Sequence, residues 1–518
     1  MTSPFRVSVF LCAGILMSAP SVAAQEPRET SRTATVQRVQ PARAQLRRVE
    51  AETPTLEEAL ADAEVQSVLG RDVRNVNLDR YRARLRANPV EATGSEDDSD
   101  HPVRPRRLLR TQQLEALSRT PRRAILQRAP SEPVAPGGPE NIASQPISPG
   151  GLQPAPGGVQ DLAAPPEPYL DVGGFGDDLH AALSATVNGY AMRARQNGQT
   201  IYTLQWNWAQ RPGDASLGWN PNRRMHVASI SKFITAMALT RLLDAEGIDF
   251  DDPIAPYLPD YWQTGPNINQ IRFSDLMNHL SGFGTGGSDG SYATIRSQVA
   301  GGVPANEIGN WNTADYENMN FALCRILIAT IGGYINTGTV FPIANNQIWD
   351  AVTISAYEDY VRDNVFAPAG INPNGPSLDK PGGPARGYQW TGGSGWNSGD
   401  LTGQAGGVAW HISINELLAV AGEFRRGGGI VSPARAQEIL NASYGLNSPL
   451  NGESSADGRF YYKPGRWTAG DGRTEQALLL LLPDNIEIAI FVNSPIGPNG
   501  TSLQTLGRTL YVNNIVEP

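Results

Sequence analysis

Two groups of apolar segments, far apart in the chain, constrain its fold more than any other feature. The segment "ALLLLLPDNIEIAIFVNS", residues 477–494, has the composition of two buried strands joined by a Pro-Asp-Asn turn. Far upstream, residues 182–212 predict a second pair of strands around an Asn197-Gly198 turn. Helical patterns lie between them. We therefore expect an α+β fold in which both ends of the domain build one antiparallel sheet, flanked by helices and carrying a helical insertion.

The N-terminus has the pattern of a secretory signal peptide. Arg6 precedes an apolar stretch from Val7 to Met17, and small residues follow up to Ala24. This arrangement predicts a signal peptide over residues 1–24 and an exported protein, periplasmic or secreted. No later segment is long and apolar enough to predict a membrane span. Removal of the signal peptide would leave Cys324 as the single cysteine, which is more typical of a buried apolar residue than of a nucleophile.

Residues 25–172 differ in composition from the rest of the chain. They are rich in Arg, Pro, Gln, Ser and Gly and poor in aromatic residues, so they bury little apolar surface and predict a disordered tether. Two pieces within them, 56–69 and 78–85, have helical patterns without an obvious partner. The arginine runs offer a possible contact with anionic polymers of a cell envelope. The folded domain is predicted over residues 173–518.

A serine and a lysine three residues apart stand in the apolar segment "VASISKFITAMALTRLLDAEG". Residues at this spacing share one face of a helix, so Ser229 and Lys232 should meet. Burial disfavours the charged form of an amine, and a neutral amine beside a hydroxyl can take its proton. Lysine is rare in this chain, where Lys380 and Lys463 are the only others, so the pairing is more specific than the short pattern alone. Taken by itself, the spacing remains compatible with chance.

Three further segments follow in a recognisable order: "RFSDLMNHLSGFG", "ADYENMNFALCRILIATIGG" and "AGGVAWHISINELLAVAGEFRRGGGIVSP". With the Ser-x-x-Lys segment, this order resembles the serine β-lactamase-like superfamily, which includes class C β-lactamases, D-alanyl-D-alanine carboxypeptidases and family VIII carboxylesterases. The resemblance covers about residues 175–512. It implies that Ser229 is the acylated nucleophile and that Lys232 helps to deprotonate it. It also implies that Tyr316 relays the proton and that Asn318 orients the lysine and the substrate.

The third motif of that superfamily is Lys or His, a small residue and Gly, on a strand beside the nucleophile. Counting back from "LLLLLP" without gaps places Thr468-Ala469-Gly470 there, and a shift of one residue places Trp467 first. Neither register supplies a base, although Lys463, Arg466 or Arg473 could compensate. The resemblance then implies an oxyanion hole from the N–H groups of Ser229 and Asp471. The implied substrate-binding residues are Asn318, Trp467, Thr468, Gly470 and Asp471.

The missing base favours a neutral substrate, because β-lactams and D-Ala-D-Ala peptides present a carboxylate. We therefore expect an esterase first, and a peptidoglycan-directed carboxypeptidase or β-lactamase second. A catalytically weak binding or regulatory protein on the same fold is a third hypothesis. The five histidines show no metal-ligand spacing, and the sequence predicts no cofactor, no metal and no nucleic-acid partner.

Overall fold

In a computed structural model of the chain, the structure describes residues 54–79, 94–96, 167–284, 290–379 and 383–517. The predicted signal peptide and most of the predicted tether lie outside these residues. The strands are β1 Gly94–Glu96, β2 Tyr169–Leu170, β3 Gly189–Gln196, β4 Gln199–Gln210, β5 Leu217–Gly218, β6 Arg224–His226, β7 Gly387–Gln389, β8 Gly392–Trp396, β9 His411–Ser413, β10 Glu453–Ser455, β11 Gly458–Ala469, β12 Thr474–Leu482, β13 Ile486–Val492 and β14 Ile515–Val516.

The helices range in length from one turn to almost five turns. They are α1 Leu56–Ala61, α2 Ala63–Asp72, α3 Val172–Leu183, α4 Ile230–Glu246, α5 Phe273–Met277, α6 Tyr292–Gly301, α7 Asn318–Ile331, α8 Asn345–Val361, α9 Ile414–Gly422, α10 Pro433–Ala442 and α11 Leu503–Asn513. Within the described ranges, none of the helices is long and apolar enough to traverse a bilayer.

The main sheet joins strands from both ends of the domain. Its order is β1-β11-β12-β13-β3-β4-β5, and every neighbouring pair is antiparallel. Strand β13, near the C-terminal end, pairs with β3, the first long strand, with Ile490 opposite Met192. The predicted fold class is therefore confirmed. The helices between these strands form the insertion.

The leucine run of β12 lies between two apolar cores and contributes side chains to both. Leu478, Leu480 and Leu482 belong to the core under α3 and α11, whereas Leu479 and Leu481 belong to the larger core under α4, α7 and α8. Successive side chains of a strand point to opposite faces, so a strand covered on both faces has no polar alternation. This explains why a continuous run of leucines forms a strand here.

The hairpin between β3 and β4 turns at the residues that the sequence indicates. Asn197 and Gly198 both have positive φ, at 51° and 81°. Two such residues match the twist of the flanking strands, which is why Asn-Gly favours this turn. The predicted hairpin is thus confirmed, and the other edge of β3 pairs with β13.

Part of the segment expected to be a disordered tether is helical. A capping box of Thr55 and Glu58 begins α1, and Leu60 and Val65 of α1 and α2 are buried in the larger core. After α2, Arg74 N–H donates to Tyr334 O over 2.9 Å. The expectation of disorder is therefore wrong for residues 56–72. The helical pattern of residues 56–69 was visible in the sequence, but its partner, which lies in the distant helical insertion, was not.

Candidate active site

Ser229 stands at a sharp turn between β6 and α4. Strand β6 ends at His226, and Ser229 is the N-cap of α4 with helical backbone angles. Between them, Ala228 has a φ of 44°, which is uncommon for a residue other than glycine, asparagine or aspartate. The surrounding structure must hold such a conformation against its intrinsic cost. Ser229 is 1% exposed, so its hydroxyl faces an enclosed space.

Lys232 lies one turn further along α4 and meets Ser229, as the spacing predicts. Its Nζ donates to Ser229 Oγ over 2.6 Å and to Asn318 Oδ1 over 2.6 Å. It also donates to Gly407 O over 3.4 Å. The lysine is completely buried, and Asn318 is the first residue of α7. Two helices and one loop therefore converge on Lys232 Nζ.

Tyr316 completes this group from the segment before α7. Its hydroxyl forms a hydrogen bond with Ser229 Oγ. Lys232 Nζ lies 4.7 Å from the centre of its ring, and the ring packs against His279 in a tilted arrangement with centroids 4.2 Å apart. His279 Nδ1 accepts from Glu317 N–H over 3.2 Å, so the histidine supports both the ring and the backbone beside it. The sequence pattern alone does not indicate a place for His279 at this site.

The glycine that touches the nucleophile is Gly465, not Gly470. A Cβ at Gly465 would lie 2.0 Å from Val227 O and 3.1 Å from Ser229 N, whereas a Cβ at Gly470 would meet nothing within 4 Å. Strand β11 therefore approaches the nucleophile turn five residues earlier than the gapless count assumes. Neither sequence register of the third motif has Gly465 as its glycine.

The two residues before Gly465 are Lys463 and Pro464, so a basic residue is present on β11 near the nucleophile turn. Lys463 is fully buried, and its Nζ donates to Asn447 Oδ1 over 2.7 Å. The same Nζ lies 5.3 Å from the centre of the Tyr316 ring. The signal that could have revealed this motif was the rarity of lysine together with the Lys-Pro-Gly order. The count failed because it assumed a shorter turn between β11 and β12.

The residues assigned to the third motif from sequence lie at the far end of this hairpin. Thr468 Oγ1 and Thr474 Oγ1 form a hydrogen bond of 3.1 Å across it. Asp471 forms a salt bridge of 2.8 Å with Arg473, whose hydrogen bond lowers the pKa of that carboxyl. Trp467 is buried instead of lining an open cleft. These contacts close the turn between β11 and β12.

The outer edge of β11 presents backbone groups beside Ser229. Ala469 N–H donates inward to Arg473 O over 2.8 Å. Because backbone groups alternate between the two sides of a strand, the N–H of Arg466 faces the outer edge. Pro464 lacks an N–H and also faces this edge, as prolines in sheets generally do. The outward N–H that follows the motif glycine therefore belongs to Arg466 and not to Asp471.

Other reactive groups in the described part of the chain do not extend the site. Burial raises the pKa of the Cys324 thiol, consistent with a small apolar role. Among the described residues, no group of three or more His, Cys, Asp or Glu side chains could hold a metal ion.

The comparison with protein families agrees with this geometry. A family model described as Beta-lactamase matches residues 177–508, which is more than half of the chain. The chain belongs to the Beta-lactamase family. This is a family of serine hydrolases with the β-lactamase fold. The match begins within α3 and ends within α11, so it includes Ser229, Tyr316 and Gly465.

Individual relatives are distant. PbpX of Bacillus subtilis (strain 168), which carries the name of a penicillin-binding protein, is 26% identical over 211 residues, covering 40% of this chain and 46% of PbpX. The esterase/beta-lactamase LipL of Mycobacterium tuberculosis is 28% identical over 126 residues, covering 23% of this chain and 28% of LipL. This chain thus spans less than half the length of these curated relatives. The crystal structure of FmtA from Staphylococcus aureus has a TM-score of 0.49 at 15% identity, covering 65% of this chain and 86% of FmtA.

Proposed function

We propose that this protein is a serine hydrolase that forms an acyl-enzyme on Ser229. The observation that carries the proposal is the convergence of Lys232 Nζ and Tyr316 OH on Ser229 Oγ. A serine hydroxyl is a weak nucleophile until a neighbouring group takes its proton. Two such groups from different elements, both in hydrogen-bond contact with one enclosed hydroxyl, are the arrangement that activation requires.

In this proposal Tyr316 accepts the serine proton, and Lys232 supplies charge. Lys232 Nζ donates to Asn318 Oδ1 and Gly407 O besides Ser229 Oγ, an arrangement that suits an ammonium. A nearby ammonium stabilises a phenolate, and both Lys232 and Lys463 lie against the Tyr316 ring. Tyr316 would then return the proton to the leaving group. Water attacks the acyl-enzyme in the second step.

The oxyanion hole in this proposal consists of the N–H groups of Ser229 and Arg466. The Ser229 N–H lies at the N-cap of α4, where the helix dipole favours negative charge. The Arg466 N–H faces the outer edge of β11, one residue after Gly465. Each such donor contributes about 3 kcal/mol to stabilisation of the transition state.

A carboxylic ester is the substrate class that we propose first. Lys463 is fully buried and donates to Asn447, so its charge is directed into the protein. Pro464 offers neither a hydroxyl nor an N–H group to a substrate carboxylate. A neutral acyl group therefore suits this wall of the site. The similarity to LipL, named an esterase/beta-lactamase, supports this class.

A substrate with a carboxylate, such as a D-Ala-D-Ala peptide or a β-lactam, is the second candidate. The presence of Lys463 favours this candidate. Carboxylate substrates came second in the sequence analysis mainly because neither sequence register of the third motif supplied a base. The similarity to PbpX, named for penicillin binding, points in the same direction.

The test compares the hydrolysis of p-nitrophenyl butyrate and nitrocefin by residues 25–518. This fragment keeps α1 and α2, which pack against the core. We expect ester turnover that Ser229→Ala lowers at least about 1,000-fold, since the nucleophile is lost. The control variant Ser67→Ala, at an exposed position of α2, should retain wild-type rates.

Intact-mass spectrometry should detect an adduct on Ser229 during turnover. Nitrocefin hydrolysis that depends on Ser229 would favour the second candidate. Equal turnover by wild type and Ser229→Ala would exclude Ser229 as the nucleophile. No turnover and no adduct with either substrate would favour a binding or regulatory protein.

We also propose that residues 1–24 direct export and that residues 25–53, 80–93 and 97–166 belong to a tether able to contact an anionic envelope polymer. The apolar stretch Val7–Met17 and the arginine runs support this. N-terminal sequencing of the protein from the culture medium or periplasm should begin at Gln25. A cytoplasmic protein that retains Met1 would contradict the proposal.

A further inference from the structure

Two buried titratable side chains face each other behind the nucleophile. His226 ends β6, three residues before Ser229, and Glu475 lies on β12. His226 Nδ1 and Glu475 Oε2 are 3.6 Å apart, and the two side chains are 0% and 2% exposed. Both atoms are buried, and neither meets a hydrogen-bond partner among the described residues. The catalytic steps proposed above use neither group.

The geometry requires one proton between these two groups. His226 Nε2 contacts Val408 O, and a carbonyl only accepts, so Nε2 carries a hydrogen. In the neutral ring Nδ1 then holds a lone pair, which faces a carboxylate oxygen. Two acceptors enclosed together repel each other, and water is excluded. Either the imidazole or the carboxyl must therefore carry the additional proton.

The pair is connected to Lys232 through one loop. His226 donates to the carbonyl of Val408, and Lys232 Nζ donates to the carbonyl of the preceding residue, Gly407. These two carbonyls belong to adjacent residues. A displacement of His226 would therefore move the peptide that helps to orient the ammonium beside Ser229.

The pair is also connected to both amides of the proposed oxyanion hole. On one side, Val227 and Ala228 alone separate His226 from Ser229. On the other, Glu475 lies opposite Trp467 in the β11–β12 register, next to Arg466. The Trp467 ring stands edge-on to the His226 ring, with centroids 5.5 Å apart. The pair thus links the nucleophile turn to the strand that carries the second N–H.

Another histidine, His411, packs against the pair. His411 on β9 lies opposite His226, with ring centroids 5.2 Å apart. Burial, and then the charge of His226, hold the pKa of His411 well below its ordinary value, so its ring stays neutral. Ser398 Oγ contacts His411 Nε2 at 3.2 Å, and Ser398 also hydrogen-bonds to the Glu475 carboxyl. His411 therefore adds no charge beside the pair.

We propose that His226 and Glu475 share one proton and act as a positioning pair that holds Lys232 and the amides of Ser229 and Arg466 in their working arrangement. The proposal rests on the proposed function. When the shared proton leaves at high pH, the facing lone pairs separate the two side chains. Lys232 and the amides then shift, and kcat falls while substrate binding changes little.

The test uses residues 25–518 with p-nitrophenyl butyrate between pH 6 and 10. Glu475→Ala should lower kcat about 10- to 100-fold and leave KM within about twofold, as displacements near 1 Å have effects of this size. Glu475→Gln keeps a hydrogen bond to His226 without a shared proton. Its kcat should fall less than about tenfold, and the alkaline decrease attributed to the pair should disappear. His226→Gln retains a donor for Val408 O and should be less impaired than His226→Phe.

A second measurement is independent of turnover. In Ser229→Ala the pair is unchanged, and its shared proton should give a low-field ¹H NMR signal that Glu475→Gln removes. Equal pH profiles for wild type and Glu475→Gln, together with no such signal, would overturn the proposal. A signal that Glu475→Gln removes, in a wild-type protein without turnover, would support the shared proton and reject the proposed function.

Discussion

At the scale of single residues, Gly465 and Gly470 distinguish the third motif inferred from the structure from the one counted along the sequence. Gly465 lies against the carbonyl of Val227 and the amide of Ser229, and Gly470 lies in the open turn after β11. Neither glycine has a positive φ, so the effect of an alanine at either position depends on the space available to its Cβ. The Lys463-Pro464-Gly465 assignment therefore predicts a large effect of Gly465→Ala and a small effect of Gly470→Ala.

We expect Gly465→Ala to lower kcat/KM at least about 100-fold and to reduce the free energy of unfolding by about 1–3 kcal/mol. The new methyl group must displace the backbone beside the nucleophile, and overpacking of this kind has such a cost. Gly470→Ala should change the free energy of unfolding by less than about 0.5 kcal/mol. Urea unfolding and ester hydrolysis measure both effects. Equal effects of the two substitutions would argue against our register.

At the scale of elements, the outer edge of β11 is partly occupied by the chain itself. Strand β1 pairs there, with Ser95 opposite Thr468. The backbone groups of Thr468 face outward like those of Arg466, so this pair exchanges both hydrogen bonds. An extended substrate that adds to the same edge beside Ser229 would meet β1 as a neighbour or competitor.

We expect Ser95→Pro to lower KM about two- to tenfold without changing kcat. Proline removes the N–H that pairs with Thr468, and a competitor that occupies an edge for half to nine-tenths of the time weakens apparent binding by this factor. Ser95→Ala keeps the N–H and serves as the control. Michaelis–Menten kinetics on the hydrolysed substrate measure the difference, and identical KM values would show that β1 does not compete.

Helices α1 and α2 lie within the segment that the sequence predicted to be a disordered tether. They contribute Leu60 and Val65 to the larger core although a long stretch of chain separates them from the rest of the domain. Apolar burial of this kind is worth about 1.5–3 kcal/mol for each large side chain. These helices therefore contribute to the stability of the folded unit.

Leu60→Ala should reduce the free energy of unfolding by about 2–4 kcal/mol, because the side chain is 2% exposed and leaves a cavity. Ser67→Ala, on the exposed side of α2, should have little effect. Urea denaturation of residues 25–518 measures both. Unchanged stability of Leu60→Ala would indicate that residues 56–72 behave as a tether in solution.

At the scale of the whole molecule, buried neutral groups make stability depend on pH. Burial, with the nearby charge of His226, holds the pKa of His411 well below the ordinary value of 6.5. The unfolded chain binds a proton at this histidine below about pH 6.5, and the folded chain does not. The contribution of His411 to stability is therefore present above pH 6.5 and is lost as the pH falls below it.

We expect the free energy of unfolding of the wild type to fall between pH 6.5 and 5 more steeply than that of His411→Gln. One such group accounts for at most about 1.4 kcal/mol per pH unit. Urea unfolding of both proteins at several pH values in this range gives the difference between the slopes. Parallel curves would indicate that His411 becomes protonated in the folded state.

The sequence alone determined those features that depend on neighbouring residues. The Asn197-Gly198 turn requires two positive φ angles, and the Ser229–Lys232 contact requires one helical turn. Both are set by local geometry, so the pattern was sufficient. The order of motifs likewise indicated the superfamily, whose sheet joins both ends of the domain.

Only the tertiary structure decided which distant residues meet. The contact of Gly465 with Ser229 depends on the length of the β11–β12 turn and on packing between separate elements, neither of which a count along the chain contains. The burial of Leu60 depends on a partner surface far away in sequence. His226 and Glu475 face each other because two strands remote in the chain pack at one site, and no local pattern records that meeting.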